Sequence, residues 1–243
     1  VARFAAAAAA LLLLGSCTNN PYPDADDALR ILYQPLSGPP RTLDPAVSYN
    51  ASEHQITGIV YATLLDYHYL DRPYRLIPGL AHEVPHPRSL PGGRVGYRFR
   101  LREGVLYQDD PAFALGAAGA RTREVTAGDL AFQLMRIADP AVGSPVIATF
   151  AKIEGLEEFS QRLEALRKGD PAFAERRIDE QYAAAGGISG LALEGSHTLE
   201  IVLSEPYPQL LYWFTMPFTA PVPWEAVEHW DGQDGRDFFK DHP

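Results

Sequence analysis

Residues 76–111 read LIPGLAHEVPHPRSLPGGRVGYRFRLREGVLYQDDP, and this stretch decides the fold. Val95, Tyr97, Phe99 and Leu101 alternate with Gly96, Arg98, Arg100 and Arg102. That period of two puts one side of a strand on a core and three guanidiniums in water. Pro91-Gly92-Gly93 supplies the turn before the strand, because glycine takes positive φ without a Cβ clash. Glu103-Gly104 breaks the strand, and Val105, Leu106 and Tyr107 are expected to resume it as a short β-meander. Upstream, Pro78-Gly79-Leu80-Ala81 is expected to be extended.

Working outward, the composition bounds the answer. The chain has 243 residues, of which 46% are hydrophobic, so it can bury a sizeable core. Its formal charge of −10 and the lack of any basic run exclude a nucleic-acid surface of the usual kind. With 21 prolines and 20 glycines it is rich in turns, which favours a mixed α/β protein over a helical bundle.

The N-terminus reads as a targeting segment. Arg3 precedes an apolar run from Phe4 to Leu14, and Leu14-Gly15-Ser16-Cys17 ends it with small residues before the single cysteine. The run spans only about half of a bilayer core that needs roughly 20 residues. Residues 1–17 are therefore expected to be a lipoprotein signal peptide with a lipobox, with Cys17 as the lipid anchor. Residues 18–28, polar and acidic, read as a flexible tether. No cysteine pair is available for a disulfide.

The chain then runs through a short strand expected at Leu29 to Tyr33 and a Leu43-Asp44-Pro45 turn. Ser52 with Gln55 has the pattern of a capping box, and Ile56, Ile59, Val60 and Leu64 recur at helical spacing, which predicts one buried apolar face. Residues 112–123 look like an inserted small-residue loop. Thr126 and Asp129 form a second capping box, opening a helix that Pro140 ends. Leu156, Phe159, Leu163 and Leu166 mark an amphipathic helix stopping near Gly169, and Asp170-Pro171 begins another. A hairpin is expected from Leu191 to Leu203 about a turn at Gly195-Ser196, followed by an apolar helix over residues 209–216 and Pro221-Val222-Pro223.

Three motifs invite other chemistry. His82-Glu83-Val84-Pro85-His86 satisfies the H-E-x-x-H pattern of a zinc-dependent hydrolase, which requires both histidines on one helical face. Pro85 and Pro87 prevent a regular helix there, so the ligands would not converge. Asn50-Ala51-Ser52 is a glycosylation sequon by pattern alone. Gly186-Gly187-Ile188-Ser189-Gly190 lacks the spacing of a nucleophile elbow or a phosphate loop. No catalytic residue, metal site or cofactor is expected.

Several of these segments together resemble the bacterial extracellular solute-binding proteins of family 5, the peptide and nickel class. The resemblance is carried by Leu43-Asp44-Pro45, by Pro78-Gly79-Leu80-Ala81, by Tyr97 to Val105, by Val125 to Phe132 with Arg136 and Asp139-Pro140, by Ser144-Pro145, by Gly155 to Phe159, and by the 199–203 strand through Pro223. It implies an α/β, two-lobed periplasmic-binding-protein-like fold of type II, with mixed sheets and flanking helices. Residues 29–61 and 222–243 would belong to lobe I and residues 62–221 to a smaller α/β domain. The chain stops where relatives continue into a Gly-Thr-Gly-Pro-Tyr strand, which suggests an N-terminal fragment with the C-terminal lobe missing.

The implied function is the substrate-binding component of an ABC importer. It would capture extended peptides and deliver them to permease subunits in the inner membrane, from a lipid-anchored position in the periplasm or cell envelope. Registering from Leu43-Asp44-Pro45, the family's ligand-touching segment falls on Tyr49, Asn50 and Ala51, with Tyr49 where some oligopeptide binders carry an acid. Pro145 and Val146 follow as ligand-binding positions, Val146 replacing an aromatic residue of the family. The alternatives are a non-transport lipoprotein and a zinc-dependent hydrolase.

Overall fold

The computed structural model describes residues 29, 31–36, 38–116 and 119–231. Cys17, the apolar run before it, the tether and residues 232–243 lie outside the described residues. The chain divides into two units, residues 1–36 and 37–243. In the first, the strand expected at Leu29 to Tyr33 is not formed among the described residues, and 31–36 belong to neither sheet. β propensity alone does not make a strand, which exists only where a neighbour pairs with it.

The second unit is built on a four-stranded antiparallel sheet in the order β3-β4-β6-β5, with β3 at Arg88–Ser89, β4 at Val95–Arg100, β5 at Leu191–Glu194 and β6 at Thr198–Leu203. The register sets Val95 opposite Leu203, Tyr97 opposite Ile201 and Phe99 opposite Leu199, so the apolar halves of both strands share one face. All six side chains are buried. Arg98 faces Glu200 on the wet side, and Arg98 and Arg88 form ion pairs with Glu194 and Glu200. Gly92 and Gly93 take φ of 78° and 79° in the turn ahead of β4, as its residues require.

The meander expected after β4 is not formed. Residue Gly104 turns the chain at φ 74°, and Leu106 pairs instead with Glu124. Beside β3, the neighbour of β4 is β6, a pairing that local sequence does not encode. A separate two-stranded hairpin joins β1, Leu65–Tyr67, to β2, Leu76–Pro78.

Seven helices are assigned among the described residues: α1 Ala51–Val60, α2 Ala127–Ala138, α3 Leu156–Gly169, α4 Pro171–Ala174, α5 Ile178–Ala184, α6 Leu210–Trp213 and α7 Trp224–Asp231. The apolar stripes of α2 and α3, Leu130, Leu134 and Ile137 with Leu156, Phe159 and Leu163, pack into the core beside the sheet. Phe214 meets Phe99 at 4.6 Å between ring centroids, and Tyr182 is held between Phe132 and Phe159 at 5.3 and 5.5 Å. The Thr126/Asp129 capping box is formed, with the Thr126 N–H donating to Asp129 Oδ2 at 2.8 Å. Asp170 caps α4 by accepting from the Ala172 N–H at 3.0 Å. The helix expected over residues 209–216 is only the single turn of α6, followed by a 3₁₀ turn at Pro217–Thr219.

The start of α1 differs from expectation. Asn50, not Ser52, is the cap: its Oδ1 accepts from the Glu53 N–H at 2.9 Å, and Glu53 Oε2 accepts from the Asn50 N–H at 3.3 Å. The inward residues of this helix are Glu53 and Thr57, whereas Ile59 is 84% exposed and Leu64 lies beyond its end. Residues 82–86 form a loop rather than a helix, so His82 and His86 do not share a helical face. Among the described residues no helix is long and apolar enough to cross a membrane.

Candidate functional site

The Leu43-Asp44-Pro45 turn is the corner from which the site is built. The Asp44 carbonyl accepts from the N–H groups of Val47 and Ser48 at 3.1 and 2.8 Å, and its Oδ1 accepts from the Ala46 N–H at 3.0 Å. Arg136, nearly fully buried on α2, grips the Asp44 carboxylate in a two-pronged fork at 2.8 and 2.7 Å. Burial works against that guanidinium's charge, but the hydrogen bonds and the negative charge of Asp44 outweigh it and keep its pKa above the ordinary arginine value. One helical turn back, the buried Gln133 donates from Nε2 to the Phe218 carbonyl at 2.8 Å, and its Oε1 accepts from Arg136 at 3.4 Å. Thus α2 holds both the turn at 44–48 and the segment at 217–219.

Glu53 fixes what lies between. Its carboxylate is wholly buried and accepts from the N–H groups of Arg41, Tyr49 and Asn50 at 3.2, 3.0 and 3.3 Å. Burial pushes this group up, yet the main-chain bonds from Asn50, Tyr49 and Arg41 more than offset it and hold its pKa below the usual carboxylate value. Two loop segments are pinned to the first turn of α1 by one side chain.

The space so framed is a furrow along α1. A hollow of about 360 Å³ is lined by Ser48, Tyr49, Asn50, Ala51, His54 and Thr57 on one side and by Met216, Pro217 and Phe218 on the other. A second hollow of about 580 Å³ shares His54, Met216 and Pro217 with it and adds Tyr61, Asp66, Tyr67 and Thr215. A third, of about 380 Å³, shares Tyr61, Ala62 and Leu80 with the second and runs on to Tyr107, Phe113 and Val222. Each has the size of a small-ligand pocket, and neighbouring hollows share lining residues. The exposed Ile59 and Val60 lie on the same helix.

Tyr49, Asn50 and Ala51 are therefore brought together at one end of the furrow, with Tyr49 61% exposed. Pro145 and Val146 do not line it. Pro145 is exposed elsewhere, and Val146, 4% exposed, packs into the core. Glu53 and Gln133 are organising residues that the sequence reading missed. Asn50 and Glu53, three apart, are themselves a capping pattern, and that signal was available.

No family model and no curated protein matches the chain. Solved structures do. The pheromone receptor PrgZ, described with its mode of peptide binding, matches with a TM-score of 0.55 at 22% identity, over 82% of this chain and 32% of that one. The Escherichia coli murein tripeptide binding protein MppA matches with a TM-score of 0.52 at 22% identity, over 79% and 31%. A periplasmic oligopeptide-binding protein, OppAIV, from Borrelia burgdorferi matches with a TM-score of 0.52 at 24% identity, over 79% and 32%. The chain spans about a third of the length of these proteins. The likeness shows the fold: the chain shares the mixed helix-and-sheet architecture of these structures over about four-fifths of its length.

Proposed function

We propose that this chain belongs to the substrate-binding component of an ABC importer of the family 5 type and that it binds an extended peptide. The observation that carries the reading is the furrow beside α1, bordered by Tyr49, Asn50 and Ala51, in a chain whose fold is that of proteins described as peptide binders. A binder that accepts many sequences draws affinity from N–H and C=O groups common to all peptides, with side-chain hollows setting tolerance. A trough lined on one side by a helix entry and on the other by the Met216-Pro217-Phe218 segment suits that task.

On this reading residues 29–61 and 222–243 form part of the first lobe and residues 62–221 the smaller domain. Cys17 carries the lipid that holds the protein in the cell envelope beside its permease. The role is capture and delivery, without chemistry on the ligand.

The test is retention. The protein as its locus encodes it, purified natively and incubated with a mixed peptide pool, is expected to retain peptides that mass spectrometry finds intact. A folded protein that retains none would overturn the binding reading, and released cleavage products would replace it with a hydrolase. Anchoring is tested separately: Cys17→Ala is expected to move the protein from the detergent phase to the aqueous phase.

A further inference from the structure

One group of exposed apolar side chains lies on a hairpin whose base borders the furrow at Tyr67 and whose tip, at Tyr69 and Leu70, does not line it. The β1–β2 hairpin carries Tyr67, Tyr69, Leu70 and Tyr74, and Tyr212 of α6 stands beside it. Tyr69 and Leu70, at the tip, are 88% and 75% exposed. Tyr67 stacks on Tyr212 at 6.3 Å and meets Tyr74 edge-on at 5.6 Å, so the rings form a connected shelf.

The tip is also a built structure. His68 Nδ1 accepts from the N–H groups of Leu70 and Asp71 at 3.3 and 3.1 Å. Arg75 donates to Asp71 at 2.7 Å, and Arg72 donates to the carbonyls of Tyr69 and Asp71 at 3.4 and 2.8 Å while its guanidinium lies 4.5 Å over the Tyr74 ring. These contacts fix the loop with its two most apolar-faced side chains pointing outward into solvent, where burial against something would be favourable.

We propose that this hairpin tip is a bilayer-contacting surface, with Tyr69 and Leu70 entering the interfacial layer of the membrane that holds the protein. The proposal rests on the anchoring reading above for its concentration: a body tied to the membrane meets it at high effective concentration, so a weak contact suffices. Two features of the hairpin choose a lipid surface. The exposed residues are mainly tyrosines, whose apolar ring and polar hydroxyl suit the headgroup boundary, with leucine to reach below it. The charge also fits. A chain of −10 is repelled by an anionic leaflet, but on this hairpin Asp66 and Asp71 are matched by Arg72 and Arg75, giving a locally neutral point of approach. This is not electrostatic adhesion, so salt, which screens the repulsion of the rest of the chain, is expected to strengthen it.

The experiment reads the tip itself. The full chain with an N-terminal histidine tag is held on vesicles containing nickel-chelating lipid, anionic phosphatidylglycerol and brominated phosphatidylcholine, so that retention does not depend on Cys17. Tryptophan emission is compared between Tyr69→Trp and, as a control on a different exposed site, Leu193→Trp, each against the native chain, which already contains Trp213, Trp224 and Trp230. Emission from position 69 is expected to shift to the blue and to be quenched several-fold more than from position 193. A Leu70→Ser change in the same background is expected to reduce that quenching, and added salt to increase it. Equal quenching at the two positions would overturn the proposal and leave the shelf to a protein partner, and quenching that falls with salt would overturn its neutral-contact basis. Failure of Cys17→Ala to change phase partitioning would instead remove the anchor while leaving the tip result to stand.

Discussion

At the scale of single residues, buried polar groups organise this molecule more than its apolar pattern suggests. Asp139, almost wholly buried at the end of α2, accepts a two-pronged fork from Arg167 at 2.5 and 2.8 Å and a hydrogen bond from the Tyr182 hydroxyl at 2.9 Å. Three helices meet on one carboxylate. Asp139→Ala strands a guanidinium and a hydroxyl together and is expected to lower the unfolding free energy by about 3–5 kcal/mol. Tyr182→Phe, which removes one bond to a charged group, is expected to cost about 1.5–3 kcal/mol. Urea melts of both variants check the order, and a Tyr182→Phe effect as large as that of Asp139→Ala would contradict it.

Glu53 gives a pH signature with a definite sign. Its folded pKa lies below the ordinary value of 4.5, so the unfolded chain binds its proton first on acidification. The stability it contributes is fully present above the unfolded value and is lost as pH falls through the folded one. Glu53→Gln keeps the shape but weakens the acceptor of three main-chain N–H groups. The stability gap between native and Glu53→Gln proteins is expected to be constant above about pH 5 and to narrow below pH 4.5. A gap that widens with acid would show that burial, not the N–H bonds, dominates at this carboxylate.

At the scale of elements, what sequence discloses is what is local. The period of two in residues 95–101 predicts β4 because alternate side chains of a strand take opposite faces whatever its partner is. Its partner is not local: Arg98 pairs with Glu200, and no spacing rule near residue 98 points there. The entry to α1 was legible only in part, since Ser52/Gln55 and Asn50/Glu53 both satisfy a capping pattern and hydrophobic spacing favoured the wrong inward face. That face lost because Glu53, turned inward, satisfies three main-chain donors that would otherwise be orphaned.

The same scale explains a glycine. Gly190 lies where β6 crosses the 153–156 segment, and an added Cβ would stand 2.7 Å from the Glu154 carbonyl oxygen and 2.8 Å from that of Val202. Both atoms are backbone, and both residues are fixed by hydrogen bonds to Gly190 itself, from its N–H to Glu154 and from Val202 to its carbonyl. Gly190→Ala is expected to destabilise by about 1–3 kcal/mol through overpacking, whereas Gly104→Ala, with no neighbour within 4 Å, costs only its positive-φ strain. Thermal melts in which Gly190→Ala matches the native protein would refute this account.

At the scale of the whole molecule, the fold class was legible because segments of ordinary local structure follow one another in one order, while the candidate site was reached only where a short turn set its register. Leu43-Asp44-Pro45 led to Tyr49, Asn50 and Ala51, and these do border the furrow. Ser144-Pro145 led to Val146, and that side chain is buried in the core and does not border the furrow. Sequence register places a residue along the chain and says nothing about which way it faces.

That distinction yields a prediction about ligand binding as proposed above. If the peptide runs along the furrow, side chains that reach into it contribute affinity, and those that support it from behind act through stability. Tyr49→Ala removes an exposed ring at the rim without touching the core, so peptide affinity is expected to fall by about tenfold, the loss of roughly 1.4 kcal/mol of contact, with the melting temperature unchanged. Val146→Ala does the reverse: it leaves a cavity in the core, costing about 1–2 kcal/mol of stability at unchanged affinity. Calorimetric titration of a retained peptide into both variants, paired with their melts, separates the two roles. The furrow would lose its claim as the peptide site if Tyr49→Ala bound as tightly as the native protein while Val146→Ala, still folded, bound markedly more weakly.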